Sequence, residues 1–236
     1  MFWPFLTLAS AAAAGYAGYA TMAPRSQLYG RTLTQGSDPT QLALTYDDGP
    51  NDPHTLRLLD VLAKHDAKAT FFLIGSYVRR RPEIARAVQA AGHEIGNHTY
   101  THPNLIFVSA ARLRHELEDC NKALEDALGM TPRLFRPPFG GRRPGVLRTA
   151  RALGLQTVMW SVSSKDWKAD SAQFILAEIT PGLHSGRAEV LLMHDGSHLG
   201  FGADRSHTIE ATRLLLESGE KKQFVPVSEL RPMATP

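Results

Sequence analysis

The spacing of apolar positions changes repeatedly along the chain, and each change marks an element. The short run Leu42-Ala43-Leu44-Thr45-Tyr46 predicts a buried strand that stops at the polar turn Asp47-Asp48-Gly49-Pro50. From His54 to His65, Leu58, Leu59 and Leu62 fall at helical spacing, and the β-branched and aromatic run Ala69-Thr70-Phe71-Phe72-Leu73-Ile74 follows. These segments predict a β-α-β unit. Pro82 to Ala91 predicts a helix with proline in its first turn, and Glu94-Ile95-Gly96-Asn97 the end of a strand. Ser109 to Leu128 predicts a long amphipathic helix capped by Gly129, with Arg133-Leu134-Phe135 entering the next strand end. Gly145 to Leu153 predicts a helix before the strand Gln156-Thr157-Val158-Met159-Trp160. Ala172 to Ile179, Val190-Leu191-Leu192-Met193 and Thr208 to Glu217 repeat the alternation.

Strands that alternate with helices of this length imply a parallel sheet, open or closed into a barrel. In a β/α barrel the loops that follow the strands form the active face, so the identity of polar residues at those points carries information.

Composition narrows the picture. A chain of 236 residues, 43% hydrophobic and 21% charged, has the make-up of one folded domain with a packed core. The 26 Lys and Arg against 23 Asp and Glu leave a net charge of only +3, which gives no nucleic-acid footprint. Cys120 is the sole cysteine, so an intramolecular disulfide and a cysteine-rich zinc site are both excluded. Any metal must be held by histidine and carboxylate. Met1 to Pro24 contains no charged side chain and is long enough for an export signal or an N-terminal membrane anchor, although the first basic residues, Arg25 and Arg31, follow the apolar run. Residues 25–40 then form a polar connector, and 41–236 the domain proper. Nothing later in the chain could span a membrane.

The polar groups at strand ends supply the candidate chemistry. Asp47 and Asp48 are adjacent carboxylates, and alternation along a strand lets one face a metal and the other a substrate; read alone, they are first an Asp-Gly-Pro turn. His98 and His102 have the i, i+4 spacing that puts two imidazoles on one side of a helical turn, where two surface histidines are an equal alternative. With Asp48 they make two imidazoles and one carboxylate, a set that leaves positions open for water and substrate. Arg136-Pro137-Pro138-Phe139-Gly140 sets a guanidinium in a stiff loop that could clamp a carboxylate or be a rigid turn. Asp166-Trp167 and Leu192-Met193-His194-Asp195 complete the group; a buried Asp facing His194 would raise its pKa and keep it protonated as a general acid. His54, His65, His93, His115, His184, His198 and His207 read as surface or structural, Arg79-Arg80-Arg81 and Arg142-Arg143 as solvated faces, and Cys120 as packing.

Thr45-Tyr46-Asp47-Asp48-Gly49-Pro50, His98-Thr99-Tyr100-Thr101-His102, Arg136-Pro137-Pro138-Phe139-Gly140, Asp166-Trp167 and Leu192-Met193-His194 resemble, in order, five motifs of the polysaccharide deacetylase domain, carbohydrate esterase family four. The resemblance spans about residues 40 to 230. It implies a single-domain α/β fold, a distorted (β/α) barrel of the glycoside hydrolase and deacetylase type. It further implies Asp47 as general base, held by Arg136, and Asp48, His98 and His102 as ligands of one divalent ion, zinc first, with cobalt or nickel as alternatives. The backbone N–H of Phe139 would stabilise an oxyanion, and Asp166 would orient and charge the acid His194. Trp167 and Leu192 would line a pocket for the acetyl methyl group. Phe139 stands where the family usually has Tyr, Tyr46 where Phe is common, and Ser163 where an Asp is frequent. The expected function is removal of N-acetyl groups from an amino-sugar polysaccharide or oligosaccharide in the cell envelope or outside the cell, by a monomer. An O-acetyl esterase on acetylxylan and a catalytically silent carbohydrate-binding homologue are the alternatives.

Overall fold

The structure is a computed structural model that describes residues 15–233. Its strands are β1 (Gln35–Gly36), β2 (Gln41–Gly49), β3 (Ala69–Leu73), β4 (Glu94–Asn97), β5 (Leu134–Phe135), β6 (Gln156–Thr157), β7 (Val162–Ser163), β8 (Ala188–His194) and β9 (Gln223–Phe224). They form one sheet in the order β1-β8-β2-β3-β4-β5-β6, with β7 added to β8 and β9 to β2. Only β1 pairs antiparallel, with β8; the other pairings are parallel. Around the sheet lie α1 (His54–Lys64), α2 (Gly75–Arg80), α3 (Pro82–Ala90), α4 (Ala110–Leu128), α5 (Pro144–Ala152), α6 (Ala172–Leu183) and α7 (Ser206–Glu217).

The sheet curls until its ends approach. Leu33 bridges Val158 just past β6, and two residues later β1 pairs with β8, so the segment 33–36 fills the space between the two ends. This is the distorted barrel that the family resemblance implied, in a single domain, and it closes the parallel sheet that the alternation of elements left open or closed.

Parallel strands covered on both sides carry apolar residues on both faces, which hides their period of two in the sequence. Burial restores it. Leu44 and Tyr46 on β2, Phe71 and Leu73 on β3, and Leu191 and Met193 on β8 pack with Leu58, Leu62, Val88, Leu124, Ile179 and Leu215 of the outer helices. Ala43, Phe72 and Val190 instead join Leu134, Val158 and Leu230 in a second, interior cluster. Following the same alternation, Thr45, Asp47, Leu192 and His194 belong to the interior face at the C-terminal ends of β2 and β8, where Asp47 and His194 are register partners.

Helix boundaries follow local chemistry. Ser109 caps α4 by accepting from the Arg112 N–H, and Gly129 ends it at φ 67, a left-handed position that glycine adopts without steric cost. Leu113, Leu117, Cys120 and Leu124 make its buried stripe, so Cys120 is packing, as expected, and burial pushes its thiol up to about 12. α2, β1, β7 and β9 have no counterpart in the sequence expectation. Each is six residues or fewer, too short to show a period.

Residues 15–22 are helical, and Arg142 secures the segment that follows. Its main-chain N–H donates to Thr21 O, and its Nη2 donates to the carbonyls of Ala23 and Ser26 at 2.6 and 2.8 Å. Arg142 was expected on a solvated face, yet it is 1% exposed, because carbonyls more than a hundred positions away surround its charge. Of the expected signal or anchor, residues 1–14 lie outside the described residues. Among those described, no helix is long and apolar enough to cross a membrane.

Candidate active site

A cleft of about 560 Å³ opens at the C-terminal ends of the strands, with Asp47, Asp48, His98, His102, Phe139, Trp167, Leu192 and His194 in its wall. Asp47 and Asp48 share this cleft because the strand does not end on a regular pleat. The β2–β3 register slips between Asp47 and Gly49, and Asp48 sits at φ 70. A bulge of this kind re-aims a side chain. It turns Asp48 toward the histidines and leaves Asp47 in line with Thr45, facing the barrel interior. Thr99 at φ 67, His102 at φ 58 and Phe139 at φ 58 are left-handed as well. Backbone strain in non-glycine residues at one place costs about 1–3 kcal/mol each and marks functional sites.

His98 and His102 come together without a helical turn, contrary to the expectation from their spacing. Residues 98–102 form a loop after β4. The Asn97 side chain accepts from the Thr99 N–H at 2.7 Å, and Thr99 Oγ1 accepts from the His102 N–H at 3.0 Å. Glu116 on α4, 2% exposed, accepts from the Tyr100 and Thr101 N–H groups at 3.0 and 2.8 Å. Local hydrogen bonds compete with the helical ladder and win here.

The loop places His98 Nε2 at 3.4 Å and His102 Nε2 at 3.1 Å from Asp48 Oδ1. Among the described residues, Asp48, His98 and His102 offer ligand atoms that all lie within 4.8 Å of one another. Asp48 Oδ1 is buried and has no hydrogen-bond partner. A carboxylate oxygen left in that state among two imidazole nitrogens fits a divalent cation. The tautomer of His98 agrees, since its Nδ1 must donate to the Arg136 carbonyl at 2.9 Å, which leaves Nε2 free to accept an ion. Burial opposes ionisation of Asp48, but the imidazoles of His102, His198 and His98 outweigh it and hold the carboxyl well below the usual range. Burial lowers the His102 pKa and favours the neutral ring. These are the protonation states that a metal requires.

Arg136 is fully buried. Its Nη1 donates to Asp47 Oδ1 at 2.8 Å and to Thr45 Oγ1 at 2.7 Å, its Nη2 to Met159 O at 3.1 Å, and its guanidinium lies 4.2 Å from the Phe72 ring centroid. Its contact with Asp47 is the pairing that the family resemblance implied. Across the cleft, Asp166 Oδ1 accepts from His194 Nδ1 at 2.7 Å, while its Oδ2 accepts from the His194 N–H and from Thr208 Oγ1, each at 2.8 Å. Burial by itself lowers the His194 pKa, but the Asp166 charge and hydrogen bond, with smaller help from Asp48 and Asp47, raise it to about 9. Asp195 plays a different part: its Oδ2 accepts from Thr55 Oγ1 and its carbonyl from Asn51, tying the loop after β8 to the start of α1.

Trp167 is half exposed with its ring edge-on to His194 at 5.4 Å, Leu192 is buried, and Phe139 is partly exposed. Ser163, where an Asp is frequent in the resembled motif, is register partner of Leu192 and leaves the Asp166–His194 contact intact.

Three residues that the sequence reading did not assign also act here. Glu116 holds the histidine loop and Thr208 holds Asp166; both lie on helices remote from the motifs they serve, where no spacing could reveal them. His198, expected to be surface or structural, stacks on His102 with ring centroids 4.4 Å apart and lies 3.4 Å from Asp48 Oδ2 through its Nδ1. Its one sequence signal was position, four residues past His194 in the loop after β8.

The chain matches the family described as "Polysaccharide deacetylase" over residues 34–158. It is 38% identical over 193 residues to a peptidoglycan-N-acetylglucosamine deacetylase of Bacillus cereus, covering 80% of this chain and 87% of that protein. It is 36% identical over 188 residues to a chitooligosaccharide deacetylase of a Bradyrhizobium species, covering 77% of this chain and 85% of that protein. The crystal structure of the Bc1960 peptidoglycan N-acetylglucosamine deacetylase, in complex with a hydroxamate-type benzamide, superposes with a TM-score of 0.78 at 31% identity, over 85% of this chain and 92% of that one. Sequence match, fold and ordered motifs agree, and the chain belongs to the polysaccharide deacetylase family.

Proposed function

We propose that the protein is a metal-dependent hydrolase that removes N-acetyl groups from an amino-sugar polymer or oligomer of peptidoglycan or chitin type. The observation that carries this reading is the meeting of Asp48, His98 and His102 at one point, with Asp47 and His194 lining the same cleft. The relatives named peptidoglycan-N-acetylglucosamine and chitooligosaccharide deacetylase support the substrate class, and an enzyme acting on such a polymer is expected in the envelope or outside the cell. The reading takes the protein to act as a monomer.

Asp48, His98 and His102 would hold the ion, and two imidazoles with one carboxylate suit zinc first, then cobalt or nickel. Such an ion supplies Lewis-acid polarisation of the acetyl carbonyl and a lowered pKa for water. Asp47, fixed by Arg136, takes the proton of the attacking water. The Phe139 main-chain N–H donates to the oxygen on which negative charge develops; a main-chain donor serves whether the side chain is Phe or Tyr. His194 gives its proton to the departing amine nitrogen, and Asp166 holds the ring with Nε2 available for that transfer. Trp167 and Leu192 enclose the acetyl methyl group. Amine and acetate leave, and no covalent enzyme intermediate is needed.

The test is acetate release by the full chain from N-acetylglucosamine oligomers, peptidoglycan and acetylxylan, each with and without a chelator. Turnover of the amino-sugar substrates that stops on chelation and returns with zinc is expected. Turnover confined to acetylxylan would replace the amidase reading with the esterase, and polymer binding without acetate release would replace both with a silent homologue.

A further inference from the structure

The two histidines of the candidate metal site are not supported alike. His98 has its second ring nitrogen fixed by the Arg136 carbonyl, whereas His102 Nδ1 is buried without a hydrogen-bond partner. Metal-bound imidazoles almost always donate that second N–H to an acceptor, which sets the plane of the ring. His102 is held by ring contacts instead. His198 lies on its face at 4.4 Å with 16° between the planes, and Phe139 meets it edge-on at 4.8 Å.

The carboxylate of Asp48 is equally asymmetric. Its Oδ2 accepts from the His198 main-chain N–H at 3.1 Å and has the His198 ring Nδ1 at 3.4 Å, while its Oδ1 has no hydrogen-bond partner and faces His98 and His102. One oxygen is thereby engaged and the other presented. His198 is brought to this place by a tightly fixed loop. The Asp195 and Gly196 N–H groups both donate to Asp47 O, Arg205 Nε donates to Gly196 O at 2.6 Å, and Tyr77 OH donates to Ser197 O at 3.0 Å. A Cβ on Gly196 would lie 2.0 Å from Asp48 O, so only glycine lets the loop come this close.

We infer that His198 is a positioning residue of the metal site: it fixes Asp48 to present Oδ1 alone, and its stacked ring replaces the orienting hydrogen bond that His102 lacks. The inference rests on the reading that Asp48, His98 and His102 hold a divalent ion. Loss of an outer partner of this kind weakens metal binding about 10–100-fold. Because the main-chain contact survives substitution, a weakening near the lower end, about tenfold, is expected for His198→Ala. His198→Phe keeps a stacked ring without the donor and His198→Asn keeps a short donor without the ring, so each falls between wild type and His198→Ala.

The experiment measures zinc dissociation constants of the full-length, metal-free proteins by competition with a chromophoric chelator, together with the absorption spectrum of each cobalt-loaded form. The His198 side chain is 31% exposed on a loop, so the variants should fold, and circular dichroism of the metal-free proteins checks this. A roughly tenfold weaker His198→Ala, with cobalt bands unchanged in position and intensity, supports the inference. A wild type that binds zinc no better than His198→Ala overturns it, as does a change in cobalt band intensity, which would make His198 a ligand. A wild type that binds no divalent ion would remove the underlying metal reading instead.

Discussion

Single residues in this cleft have their protonation states set by neighbours from other parts of the chain. His194 illustrates the balance: burial disfavours its imidazolium, and Asp166 reverses that and carries its pKa to about 9. A group with a raised pKa is protonated below that value, so the proposed acid keeps its proton through neutral pH and loses it as the pH climbs through about 9. Turnover should therefore fall on the alkaline side. Replacing Asp166 with Asn keeps the shape and removes the charge, and the alkaline limb of kcat should move down by about 1–3 units. A pH profile of Asp166→Asn that overlays the wild type would show that another group sets that limb. Asp47 and Asp48, adjacent in the chain, meet different partners: Arg136 holds the first, and the rings of His98, His102 and His198 surround the second.

At the scale of elements, strands and helices deliver the reactive groups, and irregular backbone aims them. The bulge at Asp48 and the left-handed residues of the 98–102 loop hold conformations that their side chains disfavour, so something must enforce them. Glu116 is the enforcer for the histidine loop. One buried carboxylate on α4 accepts from two main-chain N–H groups, from Thr101 Oγ1 at 2.7 Å and from Arg112 Nε at 2.7 Å. Glu116→Gln loses the charge and part of this acceptor capacity. It is expected to lower unfolding free energy by about 1–3 kcal/mol, read from urea melts, and to weaken zinc binding about tenfold. Full stability with unaltered zinc affinity would show that the loop holds itself. The long elements were legible in the sequence because each contains enough residues to display a period, as α1 and α4 do. The His98–His102 pair was legible as a pair but not in its geometry: spacing suggested a helix, and the side chains of Asn97, Thr99 and Glu116 impose a loop.

For the whole molecule, the curled sheet sets Asp47, His98 and His194 in the wall of one cleft and buries Arg136 and Asp166 behind two of them, from five separate loops and strand ends. Motif order exposed most of this set in advance, because residues at strand ends in a parallel barrel must share a face. What stayed hidden depends on contacts between remote segments: Arg142 among the carbonyls of residues 23–26, Thr208 against Asp166, Leu33 completing the barrel beside Val158, and His198 over His102. None of these has a local signature, since each partner is chosen by the fold. Taken together, these residues are proposed to make one divalent-ion site on which deacetylation depends. Stripping the full chain with a chelator and titrating zinc back, while recording acetate release from an N-acetylglucosamine oligomer, tests that dependence. Activity should rise in proportion to added zinc and level off at one ion per chain; acetate release that survives stripping, or that ignores the returning zinc, would show that the ion is not used.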